Sequence, residues 1–166
     1  MLGIPIGFLT ANLTEWMFHK FVLHGLGKNK KSFWNFHWYG HHRSVRKLGM
    51  KDPDYNQMTA SELLRTPEAL SLLAGGSLLL PIASRFPWFA GTVWVCGIAY
   101  YAIHYYSHTN PKWAYTYLPW HVDHHLYDQE ANFNVTLPLW DYILGTRRAP
   151  STPEKQQRLY VQIYSN

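Results

Sequence analysis

Residues 69–103 read ALSLLAGGSLLLPIASRFPWFAGTVWVCGIAYYAI. Ala69 to Ser84 carries no charge, Phe86 to Ile103 carries none, and Arg85 alone marks the joint. Two apolar runs joined in this way read as a helical hairpin, spanning about residues 66–107. Each run has roughly 16–18 residues, near the lower limit of the roughly 17–25 that cross a hydrocarbon layer. A transmembrane hairpin is therefore expected, with deep insertion short of crossing, or plain burial in a protein core, as the alternatives. The mean hydropathy of −0.26 averages these runs against polar, histidine-rich flanks, so the local pattern decides.

On the N-terminal side, Lys20 to Lys51 holds eight Lys and Arg and no acid. Basic loops stay on the cytoplasmic face, which places the histidine-rich flanks there and agrees with an even number of crossings. The expectation is an integral membrane protein with the bilayer as a partner. Met1 to Leu9 is too short, and lacks the basic start and small-residue cleavage site, for a signal peptide. It reads as the start or remnant of another membrane helix. The fold class expected is all-α: a membrane-embedded helical bundle with a cytosolic histidine-rich helical cap.

A length of 166 residues suits one domain, residues 1–166, large enough to bury a core without staples. The single cysteine, Cys96, excludes a disulfide framework and any Cys-based zinc or iron–sulfur site. A net charge of +5 with eight Trp and twelve Tyr suits an anionic membrane surface better than a nucleic-acid groove. No nucleic-acid partner is expected.

Punctuation divides the flanks. Leu13 to Leu26 reads as a helix stopping at Gly25/Gly27, and Lys28 to Lys31 as a solvated loop. Ser32 to Lys47 reads as helical with Ser32 as N-cap, and Gly49 to Gln57 as a turn. Ser61 and Thr66-Pro67 open a short helix and then the hairpin. Asn110-Pro111 breaks the chain, Pro119 opens a helix to about Glu130, and Asn132 to Thr146 mixes helix and strand signals. The polar tail from Ala149 is expected at the surface.

All ten histidines fall into four tight clusters: His19 and His24; His37, His41 and His42; His104 and His108; His121, His124 and His125. A lone histidine is ordinarily a satisfied or exposed one, whereas four clusters with no strays point to metal. At about 100° per residue, partners four apart differ by roughly 40°. His37/His41 and His104/His108 thus each project from one face and either bite one metal or straddle two. In His121-Val-Asp-His124-His125, the later two imidazoles flank the first. His19 and His24 stand about 140° apart on a regular helix, so they bracket a site from two sides or a π-bulge unites them.

Ten imidazoles exceed the needs of one ion, so a dinuclear centre is expected. Nitrogen donors suit iron, zinc, copper or nickel over magnesium or calcium. No Glu-x-x-His step of the soluble di-iron bundles occurs. Carboxylates are left the task of orienting imidazoles, with Glu15, one turn before His19, and Asp123 as candidates. Asp123 reads equally as a cap or a solvent-facing group.

The series His-x4-His, His-x3-His-His, His-x3-His, His-x2-His-His closely resembles the integral-membrane fatty acid hydroxylase/sterol desaturase superfamily, over about residues 12–146. Phe33-Trp-Asn-Phe-His37 resembles that family's aromatic lead-in, and Asn132-Phe-Asn-Val-Thr-Leu-Pro-Leu-Trp-Asp141 through Gly145-Thr146 resembles the segment after its last box. The family often carries Gly where this chain has Asn134, and further membrane helices before its first box. The resemblance implies all ten histidines as metal ligands, with Asn132, Trp140 and Asp141 as supports of the site. It implies an O2-dependent hydroxylase of fatty-acyl or similar lipid C–H bonds with two iron ions, which zinc replaces in some preparations. A carotenoid or sterol hydroxylase or desaturase is the alternative with the same site. A non-catalytic membrane metal-binding protein is the alternative of another class. No flavin or dinucleotide fingerprint is present, so electrons must come from a separate protein, cytochrome b5-like or ferredoxin-like. The basic Lys28–Lys51 face would dock it.

Overall fold

In the computed structural model, which describes residues 2–57, 59–150, 152, 154 and 161, the chain begins with helix α1 (Gly3–Met17). This helix runs without a break into a π-helical segment, π1 (Phe18–Leu26), that ends against Gly27. A turn leads to a second π-segment, π2 (Phe36–His42), continued by α2 (Arg43–Lys47). Two short helices follow, α3 (Pro53–Gln57) and α4 (Ala60–Leu63). The hairpin comprises α5 (Pro67–Ser77), α6 (Leu80–Ala83) and α7 (Pro87–Thr109). The chain then forms α8 (Pro111–Tyr117), α9 (Pro119–Val122), π3 (Asp123–Tyr127) and α10 (Leu139–Ile143). The architecture is all-helical, with no strand among the described residues.

Several boundaries match local chemistry. The Thr66 hydroxyl accepts the Ala69 amide and Pro67 occupies the first turn of α5, so this helix starts where the sequence predicts. Ser32 does not cap a helix: its hydroxyl accepts the Trp34 amide in a turn, and the helix opens at Phe36. The stretch from Gly49 turns but then coils into α3. Residues 132–138 form an irregular loop, which explains the mixed signals there. Ala149 is exposed, and most of the tail expected at the surface lies outside the described residues.

The hairpin is present, but its first limb is broken. α5 has 11 residues, rising about 16 Å against a hydrocarbon layer about 30 Å thick. The Gly75-Gly76 pair and Pro81 explain the interruption before α6. α7 is long enough at 23 residues, but its Tyr, Trp, Thr and His dilute its apolar character. Among the described residues, no helix is long and apolar enough to cross a membrane.

α1 and α7 pack along each other, and Gly7 lets them approach closely. A Cβ at this buried position would lie 2.9 Å from the Phe89 carbonyl oxygen. The paired helices carry their apolar residues outward at one end: Ile4, Ile6, Phe8, Trp88, Val95 and Ile98 are exposed. At the other end the interior is polar. Among the described residues, nine histidines are among the twelve largest fully buried side chains, beside Phe133, Leu23 and Met50. Val45, Met50, Ala114, Val122 and Leu126 form a small apolar cluster against this end.

Candidate dinuclear metal centre

The helix register builds the site. In a π-helix each hydrogen bond spans five residues, so side chains five apart share a face. π1 therefore brings His19 and His24 together, with ring centroids 4.9 Å apart, which resolves their five-residue step in favour of the bulge. π2 does the same for His37 and His42, whose Nε2 atoms lie 3.1 Å apart. His41 is turned to the other side. Within the regular helix α7, His104 and His108 pair at the ordinary four-residue spacing, with Nε2 atoms 3.2 Å apart.

Two groups result. His19, His24, His37, His42 and His124 each offer one ring nitrogen, all within 4.8 Å of one another. His41, His104, His108 and His125 do the same, and His121 joins them through Nε2, 3.1 Å from His108 Nε2. The two groups adjoin: the ring centroids of His42 and His125 are 4.4 Å apart. Boxes two and four each contribute to both groups, so His37 and His41 straddle rather than share. His124 likewise leaves His121 and His125.

The nitrogens fit a metal better than they fit each other. Nε2–Nε2 distances of 3.0–3.2 Å recur for His19–His37, His24–His42, His42–His124 and His108–His121. Ligands about 2.1 Å from an ion and about 90° apart stand about 3.0 Å from one another. Converging imidazoles without an ion leave lone pairs facing lone pairs. His41 Nε2 and both ring nitrogens of His125 are buried with no hydrogen-bond partner, a costly state that an ion at the centre of each group would relieve.

The outward nitrogens are held. His19, His124 and His108 donate Nδ1–H to the carbonyls of Phe133, Ala131 and Met50 at 2.5, 2.6 and 2.8 Å. His41 Nδ1 lies 2.7 Å from the Asp52 carboxylate. Such partners fix the tautomer and leave Nε2 free to bind. Burial is the leading cause that holds the pKa of eight of these imidazoles below the ordinary histidine value. His37 is lowered to about 4 and His124 to about 3, so both are neutral at pH 7, as ligands must be.

The carboxylates expected to orient imidazoles do other work. Glu15 accepts the Val135 and Thr136 amides, the Thr136 hydroxyl and the Asn12 amide, tying α1 to the 132–138 loop. Asp123 is neither cap nor solvent-facing, because it is buried against the Arg147 guanidinium at 3.0 Å. Burial still raises its pKa to about 6 and that of Glu15 to about 7. Trp140 donates to the Leu9 carbonyl at 3.3 Å, on α1.

Asp141 and Asn132 act on the loop that carries the carbonyl partners. Asp141 accepts the Phe133 and Asn134 amides and the Thr146 hydroxyl, at 2.9, 2.8 and 2.6 Å. It thereby fixes the segment whose Phe133 carbonyl holds His19. Asn132 takes a left-handed φ of 60° and binds Arg147 and Arg148 through its side chain. Asn134, where the resembled family often has Gly, is buried and donates to the Asn12 carbonyl.

Three groups escaped the sequence reading. Asp52, eleven residues past His41, has no helical spacing to it, and Met50 reaches His108 only because Gly49 and Met50 both turn left-handed. Glu68 directly precedes an apolar run, and a carboxylate there was the available signal. It is buried between His37 and His104, 3.6 and 3.7 Å away, and accepts the Tyr55 hydroxyl.

Residues 4–146 match the family model for fatty acid hydroxylase. The chain is similar to two proteins of Arabidopsis thaliana, dihydroceramide fatty acyl 2-hydroxylases FAH1 and FAH2. It is 23% identical to the first over 167 residues, 93% of this chain and 64% of that one. It is 26% identical to the second over 152 residues, 87% of this chain and 60% of that one. Among solved structures, full-length scs7p, in which only the hydroxylase domain is visible, is similar with a TM-score of 0.56 at 20% identity. That likeness covers 92% of this chain and 57% of the other, and it shows the fold. The chain thus spans about three-fifths of the length of these relatives.

Proposed function

The chain belongs to the fatty acid hydroxylase family, and we propose that it hydroxylates a fatty-acyl C–H bond in an O2-dependent reaction at a centre of two iron ions. The observation that carries this reading is the sorting of ten buried histidines into two adjoining groups of converging nitrogens. His19, His24, His37, His42 and His124 would hold one ion, and His41, His104, His108, His121 and His125 the other. Iron bound there supplies the oxidising chemistry, drawing on O2 and two external electrons.

The chain's own residues supply position and dryness. Outward hydrogen bonds from His19, His124 and His108 to backbone carbonyls hold the rings against rotation. Phe133 packs its ring against His19, His24 and His124, and Tyr100 stacks on His104 at 5.7 Å, which keeps water from one side of the centre. Its relatives are named for 2-hydroxylation of dihydroceramide acyl chains, and the same class of substrate is proposed here over carotenoid or sterol.

The exposed apolar ends of α1, α5, α6 and α7 support a membrane role without requiring a crossing. Leu70, Leu73, Leu80 and Ile82 extend that surface. The proposal is deep insertion of this end into a bilayer, with the histidine end and its Lys28–Lys51 basic face at the cytoplasmic surface. That face would receive an acidic electron-donor protein.

Comparative lipidomics of cells expressing wild type and His124→Ala tests the reading. Hydroxylated acyl chains that appear only with wild type support it. Matching profiles, with both proteins present at equal levels, would sink it.

A further inference from the structure

Glu68 lies where the two histidine groups meet. Thr66 caps α5 and Pro67 opens it, so Glu68 occupies the first turn, where the helix N-terminus favours a negative charge. Its side chain is 5% exposed. Oε2 accepts the Tyr55 hydroxyl at 2.5 Å and lies 3.7 Å from His104 Nδ1, while Oε1 lies 3.6 Å from His37 Nδ1. His37 belongs to the first group and His104 to the second. Oε1 and both Nδ1 atoms are buried without a hydrogen-bond partner.

Two unpartnered imidazole nitrogens thus face one carboxylate across two gaps, His37 Nδ1 toward the unpartnered Oε1 and His104 Nδ1 toward Oε2, which also accepts from Tyr55. Each gap exceeds an N–H···O hydrogen bond by only about half an ångström. A neutral imidazole carries one proton, and placing it on Nδ1, toward a carboxylate, leaves the Nε2 lone pair pointing at the metal position. Asp52 performs this service for His41, in the second group. Glu68 faces a ring in each group.

We propose that Glu68 is a positioning residue shared by the two metal sites: one carboxylate accepts from His37 and His104, fixes both tautomers, and sets a single buried negative charge between two cations. This rests on the reading of the two groups as metal sites. Tyr55 is the anchor that keeps the carboxylate centred. The ten neutral ligands carry no charge to offset two cations, so this carboxylate and Asp52 supply the buried anionic charge nearest the imidazoles.

Titration of the metal-free full-length chain with zinc, against a competing chromophoric chelator, tests this without turnover. Wild type is expected to bind two ions. Glu68→Gln, which keeps the volume and removes the charge, is expected to raise both stepwise dissociation constants by about 10–100-fold. Asp52→Asn is expected to raise only one. Tyr55→Phe, the milder variant should Glu68→Gln not fold, is expected to raise both by a few-fold. A Glu68→Gln or Tyr55→Phe chain in which neither constant moves, or only one does, overturns the shared role while leaving two sites standing. Wild type that binds fewer than two ions overturns the two-site reading and this proposal with it.

Discussion

His42 and His125 lie with ring centroids 4.4 Å apart and belong to different groups, which makes this pair the junction between the two candidate metal positions. Each ring has its own set of partners, so the two positions should be separable by substitution. His125→Ala is expected to lower metal content from about two to about one per chain and to abolish hydroxylation. Elemental analysis of purified variants checks this. A variant that keeps two ions would remove His125 from the ligand set.

Protonation should loosen the fold in acid. The eight imidazoles with lowered pKa stay neutral in the fold, whereas in the unfolded chain they take up protons near their ordinary value of about 6.5. Their contribution is fully present above pH 6.5 and is lost as pH falls toward about 4, the value for His37. Glu15 and Asp123, raised to about 7 and about 6, act with the opposite sign between their ordinary values and these. Eight groups outweigh two. The Tm of the metal-free chain should therefore fall steeply between pH 6.5 and 4.5, and iron should be released over the same range. A Tm that is level or rises on acidification contradicts this.

Glu15 separates a stapling role from an orienting one. Its carboxylate accepts from two amides, a hydroxyl and a side-chain amide, and all four link α1 to its own neighbour or the 132–138 loop. Glu15→Ala is expected to cost about 2–4 kcal/mol, since it strands buried donors. Metal stoichiometry of the protein that remains folded should stay unchanged. Chemical denaturation alongside elemental analysis reads both, and loss of metal without loss of stability would restore the orienting role.

Asp141 acts one step from a ligand. It holds the Phe133 amide, and the Phe133 carbonyl holds His19. Asp141→Ala should therefore weaken zinc binding at the first group by about tenfold, as loss of an outer support does. The second group, which Asp141 does not approach through these bonds, should keep its affinity. Equal weakening of both would show general collapse instead.

The all-helical class and the gathering of ten histidines were legible because box spacing and helix periodicity encode them. The division into two groups was not. Ideal α-geometry pairs His37 with His41, whereas the π-register of Phe36–His42 pairs His37 with His42 and gives His41 to the second group. One extra residue per hydrogen-bonded ring shifts a side chain to another face, and side-chain spacing alone signals this weakly. Asp52 and Glu68 stayed hidden because their links to histidines depend on chain crossings. Asp123 looked local to its box, but Arg147, twenty-four positions on, claims it. The hairpin was legible as a pair of apolar limbs, whereas the break of the first limb at Gly75-Gly76 and Pro81 is a local backbone effect that apolar character does not reveal.

The most direct test of the central claim follows oxygen itself. Purified full-length chain loaded with iron, supplied with a chemical reductant and a fatty-acyl amide, would be exposed to 18O2 and the product read by mass spectrometry. The account predicts a new hydroxyl that carries 18O, formed by wild type and absent with His124→Ala. An unlabelled hydroxyl, or no product from a chain shown to hold two irons, would contradict it.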